Sequence, residues 1–236
     1  YPNARFIYRV SDDLGFLKSS PLLKQTETSL LPLFDRISTP FDSLTKRLNN
    51  QNKQGNYATT LTHGIHKEAF DHALQSKSPY TNGHHAIYVG IYAHLDALFF
   101  NTAAQLFPEL TFHIIGPNHL IFNHPNIIVH GLKPFLQTIP FIAHASIGLF
   151  GKNLTHMPKE KAEDFQRSLK IIQYTYCRLP IVAHHNLASN DPHVLLYSHD
   201  KSSIQNSINR ALSYDRSIIS TDWINDWASV ATQLIE

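Results

Sequence analysis

The sequence predicts an α/β protein built on a parallel sheet with helices on both faces. Three observations point there. Short, almost wholly apolar segments such as AIYVG (86–90), SIGLF (146–150) and LPIVA (179–183) alternate with longer segments of helical spacing. A strand buried on both faces reads as a continuous apolar run, whereas a strand with one wet face alternates. Two of these apolar segments also end in glycine, at Gly90 and Gly116, which lets the backbone turn tightly or approach a ligand.

The elements follow in order. ARFIYRV (4–10) reads as a strand, and the polar stretch after it as a loop. Pro21 opens a helix over PLLKQTETSLLPLF, DRISTP (35–40) is a short strand, and FDSLTKRLNN a helix. NQNKQGN (50–56) contains no apolar residue and is the most linker-like composition in the chain. A domain boundary is therefore expected at 56, with domains at 1–56 and 57–220 and a closing helical segment at 221–236. YATTLTHGI (57–65) resumes as a strand and a turn. From residue 86 the rhythm is regular: strands at 86–90, 110–117, 126–132, 146–150, 179–183 and 193–198. Helices are expected at 94–107, at 134–145 despite Pro140, from Ser168, and at 203–214. Open parallel sheets bind ligands beyond the carboxyl ends of their strands. The turns after Val89, Ile115 and Leu149 are thus the places to look for chemistry.

Composition narrows the function. The chain has 236 residues, 42% of them hydrophobic, enough for a sizeable core. A formal net charge of +2 makes no demand for nucleic acid. The 16 histidines are scattered and show no ligand spacing of the H-E-x-x-H kind, so no metal site is expected. Cys177 is the single cysteine, which rules out an internal disulfide and fits a reducing compartment. No apolar run approaches the roughly 20 residues of a membrane span, and no signal peptide is recognisable. The chain starts at Tyr1 without an initiator Met and reads as a piece of something longer. Neither G-x-G-x-x-G nor G-x-x-x-x-G-K-[ST] occurs, so a dinucleotide-binding or P-loop assignment lacks support.

The stretch SLKIIQYTYCRLPIVA (168–183) is the most informative. Ser168 is a natural N-cap for the helix that follows. Lys170 in the first turn is unfavourable for the helix alone, because the N-terminus already carries partial positive charge. It makes sense if an anion sits between the lysine and the helix mouth.

At these residues the sequence resembles a known family. The succession IYVG, LTFHIIGP, HPNIIVHGL, FIAHASIGLF and SLKIIQYTYCRLPIVA is similar to the nucleotide-sugar-binding half of a GT-B glycosyltransferase. In particular, residues 168–174 resemble the S-M-K-L-L-Q-Y pattern of the xanthan-type, membrane-associated β-glucuronosyltransferases. IYRVSDD resembles the end of that family's N-terminal domain, and HGIHKEAF its entry into the C-terminal domain. The final helix resembles the one that crosses back.

The resemblance implies a GT-B fold with residues 1–56 as the end of the acceptor domain and 57–220 as the donor domain. Lys170 would contact the diphosphate and Gln173 a nucleotide or sugar oxygen, with Ser168 and Leu169 at the helix mouth. Gly90, Tyr92 (at a family methionine), Gly116 and Phe150 (at a family tyrosine) would complete the nucleotide-sugar pocket. Asp12 would be the catalytic base, with Asp13 its adjacent rival. The implied reaction is an inverting, metal-independent transfer of a sugar, glucuronate among them, from a UDP-sugar to a lipid-linked or polysaccharide acceptor. No cofactor is implied. The implied location is cytoplasmic, with peripheral contact at the inner face of the plasma membrane through the N-terminal part. Two residues depart from the family pattern: Leu132 stands where an acidic residue follows V-x-G, and Arg178 replaces the glycine that ordinarily ends the helix before L-P. Two other readings stay open. One is a non-catalytic nucleotide-sugar-binding remnant or assembly partner. The other is a sugar-nucleotide epimerase using His94 or His113 with a carboxylate.

Overall fold

The computed structural model describes residues 4–14, 20–52, 55, 57–91, 95–117 and 122–236. It divides into two compact units, Tyr1–Gly64 with Asn225–Glu236, and Ile65–Ile224.

The first unit contains β1 (Ile7–Arg9), α1 (Pro21–Leu30), β2 (Arg36–Thr39), α2 (Asp42–Gln51) and β3 (Ala58–Thr60). The strands form a parallel sheet in the order β1-β2-β3, with Ile37 opposite Ala58. Its core is Val10, Leu31, Ile37, Leu44, Leu48 and Ala58. The polar run at 50–56 joins α2 to β3 within this unit, so the division falls after Gly64 and not at 56. The reason is backbone pairing: the Asn49 side chain bonds both the N–H and the carbonyl of Ala58, at 2.6 and 3.1 Å, and locks β3 against α2. The closing helix of the chain, Trp227–Ile235, belongs to the same unit. Arg5 and Arg36 donate to the carbonyls of Ile235 and Leu234, at 2.8 and 3.3 Å, as cations at a helix C-terminus do.

The second unit carries a six-stranded parallel sheet. Its strands are β4 (His84–Val89), β5 (Leu110–Ile115), β6 (Ile127–Gly131), β7 (Ile147–Phe150), β8 (Ile181–His184) and β9 (Val194–Tyr197). Helix α3 (Lys67–Gln75) precedes them, and α4 (Ala97–Leu106), α5 (Phe135–Ala143), α6 (Lys159–Asp164), α7 (Leu169–Tyr176) and α8 (Lys201–Leu212) lie between or after them. One core joins Ile87, Ile115 and Ile181 of the sheet to Phe70, Ile139, Ile142, Ile171 and Ile172 of α3, α5 and α7. The other joins Tyr88, Phe112, Leu149 and Val182 to Phe99, Phe100, Ile204 and Ile208 of α4 and α8. Both faces are thus buried, as the apolar strands require. The sequence reading did not separate out α3 or α6.

Strand order is β6-β5-β4-β7-β8-β9, so the winding reverses between β4 and β7. That pair is held by two residue pairs, Ala86 with Ile147 and Ile87 with Gly148. Beyond them the hydroxyl of Tyr174 enters the seam. It donates to the Ile87 carbonyl and accepts from the Val89 N–H, both at 3.2 Å. Those are backbone groups that a longer β7 would otherwise satisfy. Gly148 is what admits the ring: a Cβ there would lie 2.5 Å from Tyr174 Cδ2. Arg178 keeps the turn after α7 that a glycine would ordinarily make. It adopts φ 53°, and its N–H and that of Leu179 return to the carbonyls of Thr175 and Tyr174. A non-glycine residue in this conformation costs on the order of 1 kcal/mol. Its guanidinium donates to Ser217 O at 2.8 Å.

Three histidines line one face of neighbouring strands. His85 Nδ1 and His113 Nε2 are 3.0 Å apart, His113 Nδ1 and His130 Nε2 2.9 Å, and His85 Nε2 is 3.1 Å from Thr81 O. A carbonyl can only accept, so His85 donates from Nε2. If all three rings are neutral, every later ring must then donate from Nε2 and accept at Nδ1. Burial, then His130 and His85, lowers the His113 pKa from 6.5 to about 3. His113, the acid–base residue of the epimerase reading, is therefore a core residue with both nitrogens engaged. His94 lies outside the described residues.

Candidate functional site

The β4–β7 reversal is the place where an open parallel sheet forms a ligand crevice. Several expected residues meet there. Gly90 follows β4, its N–H bonded to Ile115 O at 2.9 Å. Phe150 ends β7 and is 3% exposed. Helix α7 brings Ser168, Leu169, Lys170 and Gln173 to the same end, because Tyr174, one turn beyond Lys170 on the same helix face, is fixed in the seam.

The ammonium of Lys170 lies 3.8 Å from the centroid of the Tyr88 ring and 5.4 Å from that of Phe150. A Cβ on Gly90 would lie 2.8 Å from this nitrogen, so glycine leaves the room that the lysine occupies. Burial, and then the charge of Lys152, lowers the Lys170 pKa from 10.5 to about 7. Among the described residues no carboxylate lies within ion-pairing distance of Lys170. Rings attract a cation, but they do not use its three N–H donors.

Ser168 takes the N-cap position with extended backbone, yet its hydroxyl makes no capping bond. Its Oγ is buried without a hydrogen-bond partner among the described residues. The leading amides of α7 have no partner within the helix. Gln173 is half-buried, and no protein hydrogen bond engages its side-chain amide among the described residues. The mouth of α7 therefore gathers an ammonium and a hydroxyl with no acceptor among the described residues, beside the leading helix amides. That is a donor set for an anion.

Not every expected residue joins it. Gly116 ends β5, one strand further away, with its N–H on Gly131 O at 2.9 Å. Tyr92 lies outside the described residues. Asp12 and Asp13 belong to the first unit. Asp13 pairs with Arg47 at 3.0 Å, and Arg47 also holds Glu27 at 3.2 Å. Asp12 is exposed. It is close enough to His63 to oppose the fall of that pKa to about 4, which burial and then Arg9 cause. The sequence reading missed Lys152, two residues past β7, although the turn after Leu149 had been marked as a place for chemistry. It also missed the buried cluster beyond β8 and β9. There Asp96 accepts from Phe99 N–H, Tyr197 Oη–H and His199 Nε2, at 3.1, 2.8 and 2.7 Å. His184, 1% exposed, sits against His199.

Among the described residues no helix is long and apolar enough to cross a membrane. The family model for the N-terminal domain of glucuronosyltransferase GumK matches residues 1–40. A UDP-glucuronate:glycolipid 2-beta-glucuronosyltransferase of Xanthomonas campestris pv. campestris is 29% identical over 185 residues, which is 77% of this chain. The chain spans 43% of that relative's length. Among solved structures, Anabaena HepE in complex with UDP and glucose superposes with a TM-score of 0.68 at 12% identity, over 98% of this chain and 70% of that one. The UDP-GlcNAc 2-epimerase of Methanocaldococcus jannaschii gives 0.58 at 8%, over 97% and 70%. At such identities the likeness is one of fold. The chain has the GT-B glycosyltransferase fold and is similar in sequence to GumK-type glucuronosyltransferases.

Proposed function

We propose that the chain is part of an inverting, metal-independent glycosyltransferase that moves a sugar from a UDP-sugar to a lipid-linked or polysaccharide acceptor. The relative's name favours glucuronate as that sugar. One observation carries the reading: Lys170, packed at the mouth of α7 where the sheet reverses, has no carboxylate partner among the described residues. In this reading the second unit binds the donor, with Gly90, Phe150, Ser168, Leu169 and Gln173 around it. Asp12 serves as base, since its carboxylate is exposed while Asp13 is held by Arg47. The acceptor hydroxyl gives its proton to the base as its oxygen attacks the anomeric carbon. The bond to the nucleoside diphosphate breaks, and Lys170 with the α7 amides stabilises the charge that leaves. The reaction would take place in the cytoplasm, at the inner face of the membrane if the acceptor is lipid-linked.

Thermal unfolding with UDP, UMP, GDP, ADP and uridine tests the nucleotide. At about 100 times its Kd, UDP is expected to add about 2.7 kcal/mol, in EDTA as in its absence. No shift with any nucleotide at millimolar concentration refutes the reading, and loss of binding in EDTA refutes its metal independence. A second expectation concerns Gly90→Ala. The added methyl displaces the flexible end of Lys170 and not the backbone. UDP affinity should fall several-fold in calorimetry while the melting temperature stays within a few degrees.

A further inference from the structure

A second cation stands beside the first. Lys152 is fixed by its backbone, with its N–H on Phe150 O at 2.7 Å and a bridge to Leu95. Its ammonium lies 3.8 Å from the centroid of the Phe165 ring. Phe165 packs on Phe150 with ring centroids 6.0 Å apart, and the Lys170 ammonium lies 5.4 Å from the Phe150 centroid. Each lysine thus contacts one ring of the same pair, and the charge of Lys152 is felt at Lys170. Lys152 is half-buried, and burial holds its pKa below the usual lysine value. Among the described residues no carboxylate lies within ion-pairing distance of it.

Two like charges, both partly removed from water and neither within ion-pairing distance of a carboxylate among the described residues, oppose folding. A single phosphoryl group at the mouth of α7 would call for one of them. A diphosphate carries a second charged group, a few ångströms further out. We infer that Lys152 binds the second phosphoryl group of a nucleoside diphosphate, resting on Phe165 until the anion arrives, and so selects diphosphates over monophosphates. This rests on the proposed function, whose donor supplies the diphosphate. It adds a residue that lies outside the motif at 168–174.

The test is calorimetry of UDP, UMP and uridine with wild type, Lys152→Met, Lys152→Arg and Lys170→Ala. Met keeps an apolar stem on Phe165, so packing is preserved. Lys152→Met is expected to lose at least tenfold in UDP affinity, less than threefold in UMP affinity and nothing with uridine. Lys152→Arg should keep most of the UDP preference, which shows that charge and not lysine packing is at work. UDP affinity within twofold of wild type in Lys152→Met, with Lys170→Ala still impaired, overturns the inference and leaves the nucleotide reading standing. Equal losses for all three ligands also overturn it, because they mark Lys152 as structural. Failure of the wild type to bind UDP overturns both.

Discussion

Lys170→Ala is expected to weaken UDP binding about 10- to 150-fold, the roughly 1.5–3 kcal/mol of a hydrogen bond to a charged group. Uridine has no diphosphate, so its binding should change far less. Stability without ligand should hold or rise slightly, because the change removes a cation from a helix N-terminus and from the neighbourhood of Lys152. Calorimetry with both ligands separates three accounts. A loss confined to UDP assigns Lys170 to the phosphates. Near-zero effects on both make it an ordinary helix residue. Equal and large losses make it a support of the fold.

Acid should destabilise the second unit well before its carboxylates titrate. His113 and His184 are 5% and 1% exposed. Burial is the main cause in both cases. It is reinforced by His130 and His85 around His113, and by His185 and His199, against Asp96, around His184. The folded pKa values are about 3 and about 4, below the ordinary 6.5. Protons therefore bind the unfolded chain first. The stabilisation is complete above pH 6.5 and drains away as pH falls toward 4 and then 3. Each histidine contributes a slope approaching about 1.4 kcal/mol per pH unit, so the pair together approaches about 2.8. Urea unfolding at pH 7.5, 6.5, 5.5 and 5.0 measures it, and His184→Gln should remove about half the slope. A flat profile would show that these imidazoles are charged or exposed in the folded protein.

The strands were legible because burial on both faces leaves an unbroken apolar signature, as in AIYVG and SIGLF. Helix α3 was not, because KEAFDHALQ is mostly polar and buries Phe70 and Ala73 alone. The polar run at 50–56 looked like a linker because composition reports solvent exposure and not which strands pair. Only the register of β3 on β2 places it inside the first unit. Lys170 stood out by its conflict with the helix N-terminus. Lys152 has no such local conflict; its meaning depends on β7 lying next to β4, a fact of topology. The histidine chain was hidden for the same reason, since strand register brings together residues that are 28 and 17 positions apart.

The Tyr174 hydroxyl in the seam has a consequence for how such a protein can diverge. The residue that parts the strands and the residue that offers the charge are four positions apart on one helix, a rise of about 6 Å set by helix geometry. The height of the ammonium above the sheet is thereby inherited with the helix and owes nothing to loop conformation. If that charge serves a diphosphate as proposed, loops around it are free to drift toward other bases, sugars or acceptors while the charge stays in register. On that reading charge placement and substrate choice can evolve on separate parts of the chain, and a change at Gly148 or Tyr174 would disturb the first by shifting α7.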